Sequence, residues 1–140
     1  MCGIYSGYSG GIYKWMKRFY CFFDKNMDAL PLYEAFEKWV LDEIDEVNIK
    51  VQKTQISFYN KHMFASVSFL RVRKRRECPD AYIVITFGTG YKVESPRIDV
   101  AVEPYPNRWT HHVLISEISE IDDELMGWVK EASVFSAAKR

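Results

Sequence analysis

Apolar residues recur every three to four positions near both ends of the chain, and at every second position between them. Residues 28–46 place Leu32, Phe36, Trp39, Val40 and Ile44 in one stripe, which predicts an amphipathic helix. Asp28 can cap its start, and Pro31 suits its first turn. Glu34, Glu37, Asp42, Glu43 and Glu46 give it an acidic, solvated back. Residues of about 119–137 predict a second helix, with Ile121, Leu125, Trp128, Val129, Ala132 and Phe135 as its stripe. Ser119 with Asp122 reads as a capping box, and Asp122, Asp123 and Glu124 suit the positive helix start.

The middle of the chain has the period of strands. "NIKVQKTQISFYN" alternates through Ile49, Val51, Ile56 and Phe58. "HMFASVSFLRVR", "AYIVITFG" and "RWTHHVLI" are rich in β-branched and aromatic residues. "KRRECPD" joins the first two of these as a polar loop. "FGTGYKVESPR" reads as a turn followed by a wandering connection. Its Gly88 and Gly90 have the spacing of a phosphate loop, but no helix opens after them, so a hairpin turn is the expectation. Consecutive strands favour antiparallel pairing. The expected fold class is α+β: two layers, a mainly antiparallel sheet of about four to five strands, and N- and C-terminal amphipathic helices packed on one face.

The first 27 residues differ in character. "MCGIYSGYSGG" is a glycine-rich, flexible leader, and "IYKWMKRFYCFF" has helical spacing for a short aromatic helix. The expected organisation is this leader at 1–27 and one domain at 28–138. Composition agrees with a single domain: 140 residues, 48% hydrophobic, are enough for a core without metals or disulfides. Cys2, Cys21 and Cys78 are an odd, widely spaced set, which reads as reduced thiols. No run reaches the roughly 18 apolar residues of a membrane span. A soluble, cytoplasmic protein is the expectation.

Formal charge is zero, but the blocks are not neutral. Residues 24–49 hold two bases and eight acids, and residues 113–131 hold one base and six acids. Residues 50–112 between them hold eleven bases and five acids. Internal charge balance, or a homo-oligomer pairing these surfaces, accounts for the pattern; a polyanion partner is the alternative. The densest run, "RVRKRR" at 71–76, could hold phosphates. It falls at a strand end, where solvated charge is common, and no known nucleic-acid-binding motif accompanies it.

Two of the three histidines are adjacent, in "YPNRWTHHV". In a strand, neighbours face opposite sides. Trp109, His111, Val113 and Ile115 therefore share the core side, and Thr110, His112 and Leu114 the other. One zinc cannot easily take both imidazoles from a regular strand, and no cysteine has ligand spacing to them, so no metal or cofactor is expected. The same alternation places Lys53, Gln55, Ser57, Ser66, Ser68, Tyr82, Thr86, Thr110 and His112 on one open sheet face. Arg97 and Arg108 flank it and could supply charge. A plain solvated surface has the same pattern, but these side chains also suit a polar ligand. The candidate ligand-binding residues are Lys53, Gln55, Ser57, Arg97, Glu103, Arg108 and His112. No nucleophile–base–orienter set can be assigned, so no catalytic residue is named. Glu103 and His112 could transfer protons only if the fold joined them.

The chain also resembles a known family. "VQKTQISFYNKHMFASV", "SPRIDVAVEPYPNRWTHHVLI" and "IDDELMGWVKEA" look like an uncharacterised bacterial family, domain of unknown function 5655. Its pattern falls here on Lys53, Thr54, Phe64, Ala65, Pro96, Arg97, Glu103, Pro104, Arg108, His111, His112 and Trp128, within residues 28–136. Some members carry a zinc-binding, cysteine-rich segment that this chain lacks, so the resemblance implies no metal here. Similar domains end larger proteins concerned with nucleic acid or transport, which implies a binding module and no particular reaction. Three functions are therefore carried forward. The first is a non-catalytic binding domain holding a polar or anionic ligand, or a partner peptide, on the open face. The second is a nucleic-acid-binding module using the basic segment. The third is a hydrolase-type enzyme using His112 and Glu103.

Overall fold

The computed structural model describes residues 22–24 and 26–138. The leader and its aromatic helix lie outside them, apart from Phe22, Phe23, Asp24, Asn26 and Met27. Six strands form one sheet: β1 Asn48–Val51, β2 Gln55–Tyr59, β3 Met63–Ser68, β4 Ile83–Thr89, β5 Val100–Tyr105 and β6 Arg108–Ile115. All pairs are antiparallel, in the order β1-β2-β3-β4-β6-β5. Two helices, α1 Leu30–Glu43 and α2 Asp123–Ala138, bracket the strands in sequence.

The sheet has more strands than the four to five expected, for two reasons. The alternating stretch at 48–59 is not one strand. It folds back at residues 52–54, where Gln52 N–H donates to the Gln55 carbonyl at 2.8 Å, giving β1 and β2. The second is β5, an edge strand that is exposed from Val102 onward. β4 does not turn back onto β5. It pairs with β6, and the chain crosses from Gly90 to Asp99 before β5 joins the far side of β6. The glycines at 88 and 90 are thus not a hairpin turn. A Cβ on Gly90 would lie 3.0 Å from the Phe135 ring of α2, so close helix approach explains this glycine.

Both helices cover the same face. Phe58, Ala65 and Phe87 lie side by side across β2, β3 and β4. Phe36 of α1 meets Phe58 edge-on at 5.4 Å, and Trp128 of α2 stacks on Phe87 at 5.7 Å. Ile49, Val51, Ile56, Val67, Ile83, Ile85, Val113 and Ile115 complete a fully buried layer. At about 1.5–3 kcal/mol for each large buried side chain, this layer dominates the folding free energy. Trp39 and Trp128 are only partly buried and pack at its rim.

The helix termini differ from expectation. Asp28 sits in a 3-10 turn, Met27–Ala29, and Ala29 precedes α1 without a side-chain cap. The capping box is not Ser119 with Asp122 but Glu117 with Glu120, around the 3-10 turn Ile118–Glu120. Asp122 instead accepts the Leu125 N–H at 3.1 Å, as a residue capping the start of α2 does. Glu37 is buried and accepts a hydrogen bond from Tyr33, so the back of α1 is not wholly solvated. At the other end of α2, Ser136 Oγ donates to Asn60 Oδ1 at 2.7 Å, and Asn60 Nδ2 donates to the Ser133 carbonyl at 2.8 Å. These bonds pin the β2–β3 turn to the helix. No helix among the described residues is long and apolar enough to cross a membrane.

Candidate functional site

The face away from the helices carries a polar row. Lys50, Ser57, Ser66, Thr86 and His112 are successive cross-strand partners on β1, β2, β3, β4 and β6. The row forms because each strand puts a polar residue at the same parity, so the pleat turns all five side chains outward together. Ser57 and Ser66 are nevertheless buried, and Val84 and Leu114 of the same face are buried as well. The face is therefore not flat. Part of it is the floor of a depression.

That depression is a groove of about 510 Å³ lined by Lys53, Thr54, Gln55, Ser66, Ser68, Thr86 and His112, with Phe22, Met63, Phe69 and Leu70 as apolar walls. Gln55 is held in place. Its Nε2 donates to Ser57 Oγ at 2.7 Å, and Ser57 Oγ donates to Gln52 Oε1 at 3.0 Å. His112 Nδ1 lies 2.8 Å from Thr86 Oγ1. Burial holds its imidazole below the ordinary value of 6.5, so it is neutral at pH 7. A second depression of about 250 Å³ adjoins the first and shares Met63, Ser66 and Thr86 with it. Pro104, Tyr105, Arg108, Trp109 and Thr110 line it too, together with Phe87, Thr89 and Phe135 of α2, so it also reaches the helix layer.

The expected site residues separate into three groups. Lys53, Gln55 and His112 come together in the first groove, with Ser57 bonded beneath Gln55. Arg108 lies in the adjoining depression. Arg97 and Glu103 line neither. Arg97 belongs to the helix side: its Nη1 bonds Asp122 at 2.8 Å and Glu124 at 3.0 Å, and its Nη2 donates to the Glu120 carbonyl at 2.6 Å. Its guanidinium also sits 5.8 Å from the Trp128 ring centroid. It fastens the connection before β5 to the start of α2. Asp122 is driven up by burial but more than compensated by the Arg97 and Leu125 hydrogen bonds, which leave its carboxyl below the ordinary value. Glu103 lies in a register break of β5, where its carboxylate accepts the Asn107 N–H at 3.0 Å. Asn107 has φ 61°, and Pro106 precedes it, so Glu103 secures the β5–β6 turn. Proton transfer between Glu103 and His112 has no geometric support.

Tyr82 lines neither depression. It precedes β4, and its hydroxyl donates to the Phe69 carbonyl at 3.3 Å. Of the basic run, Arg73 is bound to Asp99 at 2.7 Å, while Arg71, Lys74, Arg75 and Arg76 are exposed on the loop that starts beside the groove at Leu70. The residues missed by sequence reasoning are the apolar walls Phe22, Met63, Phe69 and Leu70. Phe22 belongs to the core cluster and Phe69 packs against it, so only the fold shows that they also border the groove.

His111, one position from His112, faces the helices. It is fully buried, stacks on Phe87 at 4.8 Å, and accepts the Val93 N–H through Nε2 at 2.9 Å. Burial lowers its affinity for a proton, against a smaller opposing influence from the Phe87 backbone. Among the described residues, no group of three His, Cys, Asp or Glu side chains could hold a metal ion.

The pattern of the family described as "Domain of unknown function (DUF5655)" matches residues 21–136. The chain belongs to this family. The matched span covers both helices, all six strands and both depressions. No curated protein and no solved structure matches the chain.

Proposed function

We propose that this domain is a non-catalytic binding module whose ligand lies on the open sheet face. The observation that carries this reading is the convergence of Lys53 and Gln55, at the start of β2, with Thr86 of β4 and His112 of β6 on one groove. The groove combines one ammonium group, an amide, several hydroxyls and a neutral imidazole with apolar walls. Such a lining favours a ligand with an anionic or strongly polar group and an apolar body. Catalysis is not favoured. Thr86 and His112 engage each other, but no carboxylate orients the imidazole, and Glu103 is committed to a turn.

The test is a titration of the isotopically labelled protein with small carboxylate and phosphate fragments, read by amide and imidazole NMR shifts. Shifts at Lys53, Gln55, Ser66, Ser68, Thr86 and His112, reduced by Lys53→Ala, are the expected result. Shifts confined to the helix layer, or to residues 71–76 alone, would overturn the assignment.

A further inference from the structure

The two depressions form one trough, because Met63, Ser66 and Thr86 line both. Its charge is unusual in its placement. Lys53 stands at one end and Arg108 at the other, both exposed, and neither forms an ion pair among the described residues. No carboxylate lines either depression. Among the described residues, the polar side chains between the two cations are uncharged, with Gln55, Ser66, Ser68, Thr86, Thr110 and His112 among them.

The strand register gives the scale. Gln55, Ser68, Val84 and Leu114 are successive partners, and Arg108 is six positions from Leu114 along β6. Lys53 is two positions beyond Gln55 in the opposite sense. Six residues at about 3.3 Å, and three strand spacings at about 4.8 Å, separate the Gln55 and Arg108 Cα atoms by roughly 25 Å, and Lys53 lies a little further out in the turn at 52–54. Two long side chains reaching inward leave roughly 20 Å between their charged ends. A small anion cannot meet both.

We propose that the trough binds an extended peptide segment bearing acidic side chains at its two ends and neutral residues between them. This rests on the open face being the ligand site. An extended chain advances about 3.3 Å per residue, so acidic side chains at positions i and i+6 match the gap. They also point to the same side, as both must. The central hydroxyls and His112 meet neutral amide groups, while Met63, Leu70 and Tyr105 offer apolar contacts for intervening side chains. A nucleic-acid strand fits less well. It carries a charge at every nucleotide, and among the described residues the middle of the trough has no cation to meet one. Two of the trough's aromatic rings are already engaged: Phe22 is stacked on Phe69 at 4.8 Å, and Lys92 lies 5.9 Å from the Trp109 ring, which leaves Tyr105 as an exposed platform at the Arg108 end. The exposed cations at 71, 74, 75 and 76, beside the Lys53 end, would speed the encounter with an acidic segment without lining its seat.

The experiment uses the full chain and fluorescent nine-residue peptides with Asp at positions 2 and 8 and neutral residues elsewhere. Binding is read by anisotropy. Replacing either Asp by Asn is expected to weaken binding by about fivefold, the upper range for an exposed ion pair. Lys53→Ala and Arg108→Ala should each cost as much, and each should abolish sensitivity to one Asp only. Affinity indifferent to both Asp residues overturns the proposal, as does tighter binding of a six-nucleotide oligothymidylate. If carboxylate fragments shift the Lys53–His112 groove while the two-Asp peptide binds no better than the one-Asp peptides, the two-ended ligand is wrong and the groove stands. If neither peptides nor fragments perturb the face, both readings fall.

Discussion

The two faces of one sheet are built from the same strands, yet only one is complete. Toward the helices, His111 stacks on Phe87 and its Nε2 takes the Val93 N–H. Toward the other side, His112 shares a 2.8 Å contact with Thr86 and borders a groove. A change of one position in β6 converts a structural imidazole into a candidate ligand contact. The difference teaches that residue type does not decide role here. What decides it is whether a second layer of the protein already encloses the side chain.

The largest expected effect is on the completed face. Phe58→Ala removes a fully buried ring that meets Phe36 and Tyr33, so the loss should be about 3–5 kcal/mol. Trp128→Ala should fall at the low end of that range, because Trp128 is only partly buried. Urea unfolding of the two variants compares them directly. Equal stabilities to the parent protein would mean that the helices do not pack on this face.

His111→Ala comes next, at about 2–4 kcal/mol. It opens a cavity beside Phe87 and leaves the buried Val93 N–H without its acceptor. Arg97→Ala should cost about 1–2 kcal/mol, since it leaves two carboxylates and a carbonyl at the start of α2 without their donor from the connection before β5. It should leave fragment binding on the open face unchanged. Loss of that binding with the fold intact would move the ligand site toward the helix side.

Much of this contrast was legible before the structure. Alternation in "RWTHHVLI" sends His111 inward and His112 outward because a strand has only two sides. The helical stripes, with Phe36 and Trp128 among them, likewise point both helices at a common core. Other features depend on distant partners, which periodicity does not encode. Arg97 looked like a ligand contact because an unpaired arginine and one bound to Asp122 have the same sequence signature. Strand β5 was hidden because "VAVEPY" lies on an exposed edge and lacks buried alternation. The β1–β2 fold-back was marked only by a change of phase, since the apolar positions are odd at Ile49 and Val51 and even at Ile56 and Phe58, on either side of the polar turn 52–54. The trough escaped notice because its walls come from residues that neighbour each other only across strands.

Acidification should sharpen the comparison next. Burial pushes both imidazoles of β6 below 6.5, so between that value and their lower folded values the unfolded chain holds more protons. Stability from these groups is complete above pH 6.5 and is lost as pH falls below it toward the folded values. Each group contributes a slope of at most about 1.4 kcal/mol per pH unit. Unfolding curves from pH 7.5 to 5 should therefore show falling stability, and His111→Ala should flatten the fall. A slope unchanged by that substitution would show that His111 is not among the groups that resist protonation.

The smallest effect should come from His112→Ala. Its ring is half-buried at the border of a groove, with Thr86 its one hydrogen-bonding contact, and Thr86 can turn its hydroxyl to solvent once the ring is gone. Stability should stay within about 1 kcal/mol of the parent protein. Binding should respond instead: fragments or peptides seated over Thr86 lose a neutral hydrogen-bonding partner, while contacts to Lys53 and Arg108 remain. His112→Gln keeps an amide donor and acceptor near the same place and should recover part of that loss. The decisive measurement is the pair of thermal unfolding curves for His111→Ala and His112→Ala. Large and equal losses would show that both imidazoles serve the fold, and the distinction between the two faces, with the ligand site built on it, would have to be abandoned.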